Sequence, residues 1–334
     1  MAGDPLGDYL PTFIRYIVAG VAVFALTVGV FYLFRKVFHW RREAAIGLAL
    51  ITPWFTGFLI FSAFPILASF VLSFTDYNLQ QAPNFIGTKN YEQLFTKDIN
   101  FWPSLRLTLL YAVISVPLSV FFSLMLAILL NQKLRLIGVY RVIYYLPSIV
   151  PAVAVVLLWR WIFNPDVGLL NTVLSPIFTL IGQTPPDWFG DESWVLPAFI
   201  IMSLWTALGN NMVILLGSRK GLSVDLYEAA DLDGASGFTK FVKITIPLMT
   251  PALFFLVVVE FSSAMQLSTP AFFARATPAA GRFMNVLIYN YGFEQARMGY
   301  ATALAVILFL ILLGATIIIF RSQSSLVYYE GQQG

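Results

Sequence analysis

Side chains able to do chemistry are scarce in this 334-residue chain, and their placement is informative. There is no cysteine and a single histidine, His39, so thiolate metal sites, disulfides and histidine-based catalysis are nearly excluded. What remains is a small set of polar groups inside apolar stretches: Asn210, Asn211, Glu260 and Gln266, with the aromatic residues Trp54, Tyr144, Tyr145 and Trp205 at comparable depths. Amides and a carboxylate can hydrogen-bond a polar solute while aromatic faces offer flat surfaces for stacking. Each group also has a plainer role. Amides bond neighbouring helices, aromatics pack or anchor at interfaces, and a carboxylate in apolar surroundings needs a partner, a water-filled cavity or neutralisation.

A second concentration of polar residues is the stretch YEAADLDGASGFTKFVKITIPLMTP, residues 227–251. Ser223 has the chemistry of an N-cap, Asp225 suits the positive end of a helix, and Gly234 suits the left-handed position beyond the last turn. The helix between them is little more than two turns long. Leu226, Ala229 and Ala230 share one face, and Glu228 and Asp231 share another. Two adjacent alanines permit close approach to another surface, and Glu228 offers a carboxylate that an arginine can grip. Ser236 caps a second short helix, predicted to turn Phe238, Phe241 and Val242 inward, before Pro247 and Pro251 open the next apolar stretch. The result is a small lever joined to a long helix.

The elements that must hold these groups are membrane spans. Hydrophobic residues make up 59% of the chain and charged residues 11%, and the mean hydropathy is +0.79, far from soluble domains. Seven stretches meet the need for about 20 apolar helical residues: approximately 16–34, 44–74, 107–130, 142–159, 194–217, 246–267 and 300–320. The second contains Pro53 and Pro65, which predicts a tilt or kink. Residues 169–181, in the outer connection NPDVGLLNTVLSPIFTLIGQTPPDWFGDES, predict a short interfacial helix. With the lever on the cytoplasmic side, 12 of the 20 Lys and Arg residues lie there, which places the N-terminus outside and the C-terminus inside. Arg160 sits on the other side, as an interfacial anchor or as a gate or docking contact. His39 reads as a surface residue. The N-terminus carries Asp4 and Asp8 rather than the basic stretch of a signal peptide and reads as mature sequence. The net charge of +3 gives no case for nucleic acid.

Glu228, Ala229, Ala230, Gly234, Ile244 and Pro247 stand at the spacing of the EAA loop, and the chain thereby resembles the permease subunits of binding-protein-dependent ABC importers. Ile246 replaces the usual Leu of that motif. "YEAADLDGAS" followed by "ITIPLMTP" is similar to the carbohydrate-uptake branch, the maltose and glycerol-3-phosphate type. "PWFTGFLIFSAFPILASFVLSFTDYNL", "WRWIFNPDVGLLN" and "GYATALAVILFLILL" extend the likeness over roughly residues 48–321. The EAA spacing is specific, whereas the flanking phrases are individually weak.

The resemblance implies an all-α polytopic membrane protein with about seven transmembrane helices, one extra N-terminal helix preceding a six-helix type I importer core. It divides the chain into an N-terminal helix and linker (1–43), a permease core (44–321) with its coupling loop at 218–247, and a cytoplasmic tail (322–334). It implies a prokaryotic plasma (inner) membrane location and a pathway for a sugar, oligosaccharide or polyol shared with a second permease subunit, more often a different chain. It further implies two copies of an ATPase subunit gripped by Glu228, Ala229, Ala230, Asp231, Asp233, Gly234, Ile244 and Pro247, and an extracytoplasmic solute-binding protein. No G-x-x-x-x-G-K-[ST] loop occurs in the sequence, so ATP and Mg are expected on the ATPase partner and the chain itself is expected to be no enzyme and to hold no cofactor or metal. An ion-coupled secondary transporter using Glu260 is the alternative, and it predicts inverted repeats and several intramembrane carboxylates. The chain departs from the family pattern in its first helix and in "FFARATPAAGRF", where relatives often carry a Gly-Gly-Pro segment, which predicts a remodelled outer loop.

Overall fold

The computed structural model describes residues 5–132, 135–274 and 282–328. Most of the predicted outer loop, 275–281, therefore lies outside the described residues. Nearly all of the chain is helical, with no strand among the described residues beyond an isolated bridge between Thr75 and Phe85. It separates into two compact units, Met1–Val71 and Leu72–Gly334.

In the first unit, α1 (Pro5–Tyr32) continues through a π turn, Leu33–Val37, and a short connection leads to α2 (Arg42–Phe58). Phe34 stacks on Phe38 and meets Trp40 edge-on at this turn, where His39 takes a positive φ of 56°. Buried Ala45 and Ala49 let the helices approach closely. A second π turn, Leu59–Ala63, accommodates Pro65 and leads into α3 (Phe64–Leu72).

The second unit opens with α4 (Lys89–Thr96) and is built around α5 (Phe101–Leu129). Along α5 the buried residues Ser104, Thr108, Ser115, Ser119 and Ser123 form a helical stripe of small polar side chains, which permits close backbone approach between spans. Then come α6 (Ile137–Tyr145), α7 (Ala152–Ile162), α8 (Leu169–Leu180) and α9 (Glu192–Lys220). The coupling stretch supplies α10 (Val224–Leu232) and α11 (Gly237–Lys240), followed by α12 (Ile246–Met265), α13 (Thr269–Phe273), α14 (Met284–Tyr289) and α15 (Met298–Leu326). The predicted interfacial helix is α8. It is tied back by Asn171, whose amide donates to the Pro186 carbonyl at 2.9 Å and whose Oδ1 accepts from Trp188 Nε1 at 2.8 Å.

Six helices among the described residues are long and apolar enough to cross a bilayer: Ile17–Val37, Arg42–Leu72, Phe101–Leu129, Glu192–Lys220, Gly237–Phe273 and Met298–Ser324. The fourth predicted span, 142–159, is not continuous, which corrects the sequence expectation. Ile137–Ile149 and Ala152–Ile162 meet at 101°, and only the bent pair counted together gives seven. The cause is local: Pro151 disfavours helical backbone at the residue before it, and Val150 is extended with ψ 132°. A 3-10 turn, Leu146–Ile149, with Pro147 in its first turn precedes the break.

Two apolar clusters form the core of the second unit. One gathers Phe101, Tyr111, Val116, Phe163, Phe199, Met202, Ala264 and Phe283 with others, and the second gathers Leu124, Leu130, Met212, Leu215, Met249 and Leu256. Along α5 the first cluster ends at Val116 and the second begins at Leu124. Along α9 the change falls between Met202 and Met212, and along α12 between Leu256 and Ala264. Ser119, Asn211 and Glu260 occupy those three intervals, so the spans meet through a polar layer between two apolar ones.

Candidate functional site

The polar layer is bonded across three helices. Asn211, buried on α9, donates to Glu260 Oε1 on α12 at 2.9 Å and to Ser119 Oγ on α5 at 3.1 Å. An amide has two N–H donors, and both are used. Beside this bond lies a cavity of about 300 Å³ walled by α5, the 3-10 turn, α7, α9, α12 and Pro270. Its polar lining comprises Tyr111, Ser115, Ser119, Ser148, Ser203, Thr206, Glu260 and Ser263, and no Lys or Arg among the described residues lines it. Hydroxyl groups both donate and accept. The cavity can therefore receive a hydroxyl-rich solute, with the Glu260 carboxyl group among its hydrogen-bonding partners.

Of the residues singled out in the sequence, Glu260 lines this cavity and Asn211 holds it. The others are placed elsewhere. Asn210 is exposed, about 100° around α9 from Asn211. Gln266 is exposed, donating to the Ser262 carbonyl at 2.9 Å and accepting at its own carbonyl from Asn285 at 2.7 Å. Trp205 is half-buried and packs edge-on against Trp159, with ring centroids 5.8 Å apart. Tyr144 and Tyr145 are exposed at the end of α6, and their backbone abuts Gly209. Trp54 belongs to the first unit, where it is largely exposed and stacks on Phe58. Depth alone could not assign these residues a direction, since opposite faces of one helix lie at the same depth. The serines of α5 and α9 were missed, although the four- and seven-residue spacing of Ser104, Thr108, Ser115, Ser119 and Ser123 is visible in the sequence.

The coupling stretch folds as its caps dictate. Ser223 Oγ accepts from Asp225 N at 3.2 Å and Ser236 Oγ from Thr239 N at 3.2 Å. Gly234 has φ +72°, and the Ala235 and Gly234 amides bond back to the Ala230 and Asp231 carbonyls at 2.9 and 3.1 Å, the pattern of a Schellman cap. Glu228, Ala229, Asp231 and Asp233 are exposed, Ala230, Ile244 and Pro247 half-buried. Asp231 pairs with Lys240 at 2.5 Å. Of the three residues predicted to turn inward, Phe241 does, packing on the second cluster. Phe238 and Val242 do not: they are 75% and 43% exposed, because α11 is a single turn followed by a π turn, Phe241–Thr245, which changes the register of the faces.

Two further features lie toward the opposite end of the spans. Arg160 is half-buried in a cleft of about 200 Å³ with Asn164, Asp187 and Phe189. Asn100, at the start of α5, accepts from Arg282 and reaches the Tyr291 hydroxyl at 3.4 Å. Burial pushes the Tyr291 phenol up from its ordinary value, so it stays a neutral hydroxyl. No cluster of three metal-ligating side chains occurs among the described residues.

Six or seven apolar spans, a hydroxyl-lined cavity and a capped lever are features of a transport component of a membrane. The chain belongs to the family described as binding-protein-dependent transport system inner membrane component, which it matches over residues 115–324. It is a multi-pass inner-membrane permease subunit of the ABC importer type. It is 36% identical over 298 residues to a probable ABC transporter permease protein, YesP, of Bacillus subtilis strain 168, covering 88% of this chain and 95% of that one. It is 29% identical over 280 residues to the trehalose/maltose transport system permease protein MalF of Thermococcus litoralis, covering 83% and 93%. Its fold matches a chain in the crystal structure of a bacterial ABC transporter involved in the import of the acidic polysaccharide alginate, with a TM-score of 0.75 at 22% identity over 86% of this chain and 98% of the other.

Proposed function

We propose that this permease subunit forms half of an import route for a sugar or oligosaccharide, with the solute passing the Glu260 layer. The observation that carries this reading is the cavity itself: seven hydroxyl side chains and one carboxylate line a space of about 300 Å³ with no basic residue among the described ones. Such a wall complements hydroxyl-rich solutes. The relatives support it, since their names include trehalose/maltose, lactose and arabinooligosaccharide permeases. A second permease chain would supply the other half.

The lever is assigned the coupling role. Val224, Leu232 and Phe238 are 66%, 90% and 75% exposed on and beside α10, and the helix itself buries no residue. Apolar side chains left open on a capped helix suit a groove on a cytoplasmic ATPase, where Glu228 would meet a basic residue and Ala229 and Ala230 permit close approach. ATP and Mg belong to that partner, present in two copies. This puts the lever and the C-terminus in the cytoplasm and the N-terminus outside, where an extracytoplasmic solute-binding protein delivers the cargo. A structural neighbour was crystallised with a substrate-bound periplasmic protein.

The test is gentle purification of the tagged chain from its native membrane with mass spectrometry of what accompanies it. An ATPase, a second permease and a solute-binding protein are the expected companions, and the binding protein then reports the cargo by a ligand screen. A chain that emerges alone and moves a solute in liposomes without ATP would refute the reading.

A further inference from the structure

The residue that links the lever to the cavity is Tyr227, which the coupling motif itself leaves without a role. Its hydroxyl lies 2.9 Å from Thr245 Oγ1. Thr245 is buried and ends the π turn that runs into α12. The face of the Tyr227 ring carries the Arg219 guanidinium at 4.2 Å from its centroid, and Arg219 stands in the last turn of α9. One side chain of α10 thus touches the feet of two spans. Those are the two spans joined further up by the Asn211 to Glu260 hydrogen bond.

We propose that Tyr227 is a positioning residue: it makes α10 and the feet of α9 and α12 move as one body, so that a push on the lever reaches both walls of the Glu260 layer together. Two contacts of different chemistry hold this joint. The hydrogen bond fixes the ring edge against α12, and the cation stacked on the ring fixes its face against α9. Asp231 and Lys240 extend the rigid piece to α11. A cleft of about 290 Å³ beside the joint is lined by Tyr227, Arg219 and Thr245 together with Ile128, Asn131 and Gln132 from the end of α5. The joint therefore ties α10 to α9 and α12, two of the helices that wall the cavity. The inference rests on the coupling role proposed for α10.

The natural absence of cysteine allows a direct test. Nitroxide labels are placed at Asp225→Cys on α10 and Phe255→Cys on α12, both exposed positions outside the residues assigned to docking, in the complex with its ATPase in nanodiscs. Electron-electron double resonance is recorded at rest and after trapping with ATP and vanadate. A single narrow distance in both states is expected for the otherwise unchanged chain. Tyr227→Phe keeps the stacked guanidinium and loses the hydrogen bond, and Arg219→Gln does the reverse; each is expected to lose the narrow distance while the ATPase still co-purifies. Distances as narrow as in the unchanged chain in both variants would overturn the proposal, as would detachment of the ATPase by Tyr227→Phe, which would place Tyr227 in the docking surface. The docking reading fails separately, if Glu228→Ala retains the ATPase as well as the unchanged chain does, because that readout is retention of the partner and not a distance.

Discussion

Replacing Asn211 by Leu tests the polar layer. Leu has the branching and heavy-atom count of Asn but is bulkier, so the change removes two hydrogen bonds without opening a cavity at a site that is 2% exposed, and the overpacking it adds cancels between the Glu260 and Glu260→Gln backgrounds. The bond to Glu260 Oε1 measures 2.9 Å and the bond to Ser119 Oγ 3.1 Å. A hydrogen bond to a charged acceptor contributes about 1.5–3 kcal/mol and a neutral one about 0.5–1.5 kcal/mol, whereas interhelical bonds in membranes average only about 0.6 kcal/mol. Glu260 lines the cavity and keeps access to water, which favours the lower end of each range. The expected loss is therefore about 2 kcal/mol, or roughly 4–8 °C in unfolding temperature at about 2–4 °C per kcal/mol for a large domain. In a Glu260→Gln background the same substitution should cost about half as much, because the acceptor is now neutral. The assay is unfolding of the detergent-solubilised protein at one fixed scan rate, since membrane proteins of this size unfold irreversibly and only matched scans compare. A loss under about 1 °C, or equal losses in the two backgrounds, would refute the inter-helix bond as a stabilising contact.

Two other substitutions probe the backbone. Gly209→Ala would place a methyl group against the Tyr144 carbonyl oxygen and 2.8 Å from Tyr145 Cα; backbone cannot rotate away, so about 1–3 kcal/mol of overpacking is expected, read as a lower unfolding temperature. Gly234→Val meets no atom within 4 Å but must hold φ +72°, so it should cost about 1–2 kcal/mol from strain alone, with Gly234→Asn milder. Equal retention of the ATPase by the Val and Asn variants on purification would show that this turn does not set the lever.

Much of the fold is legible in the sequence because a bilayer imposes a simple rule. Long apolar stretches must be helices, and the short lever is written in its caps: Ser223, Ser236 and Gly234 each bond or bend as their chemistry requires. Glu260 was recognisable for a related reason, since a carboxylate in an apolar stretch cannot be left without company. The EAA spacing carried the family.

Tertiary structure alone decided direction and partnership. Asn210 and Asn211 are neighbours in sequence, yet a helix turns about 100° between them, and only Asn211 reaches Glu260. The break of the fourth span depended on Pro151 acting where Gly209 lets α6 press against α9. The serines that line the cavity became a site only because three helices bring them together. Hydropathy encodes how deep a residue lies, whereas which neighbour it faces depends on helix rotation and crossing, and those are set by packing against residues distant in the chain.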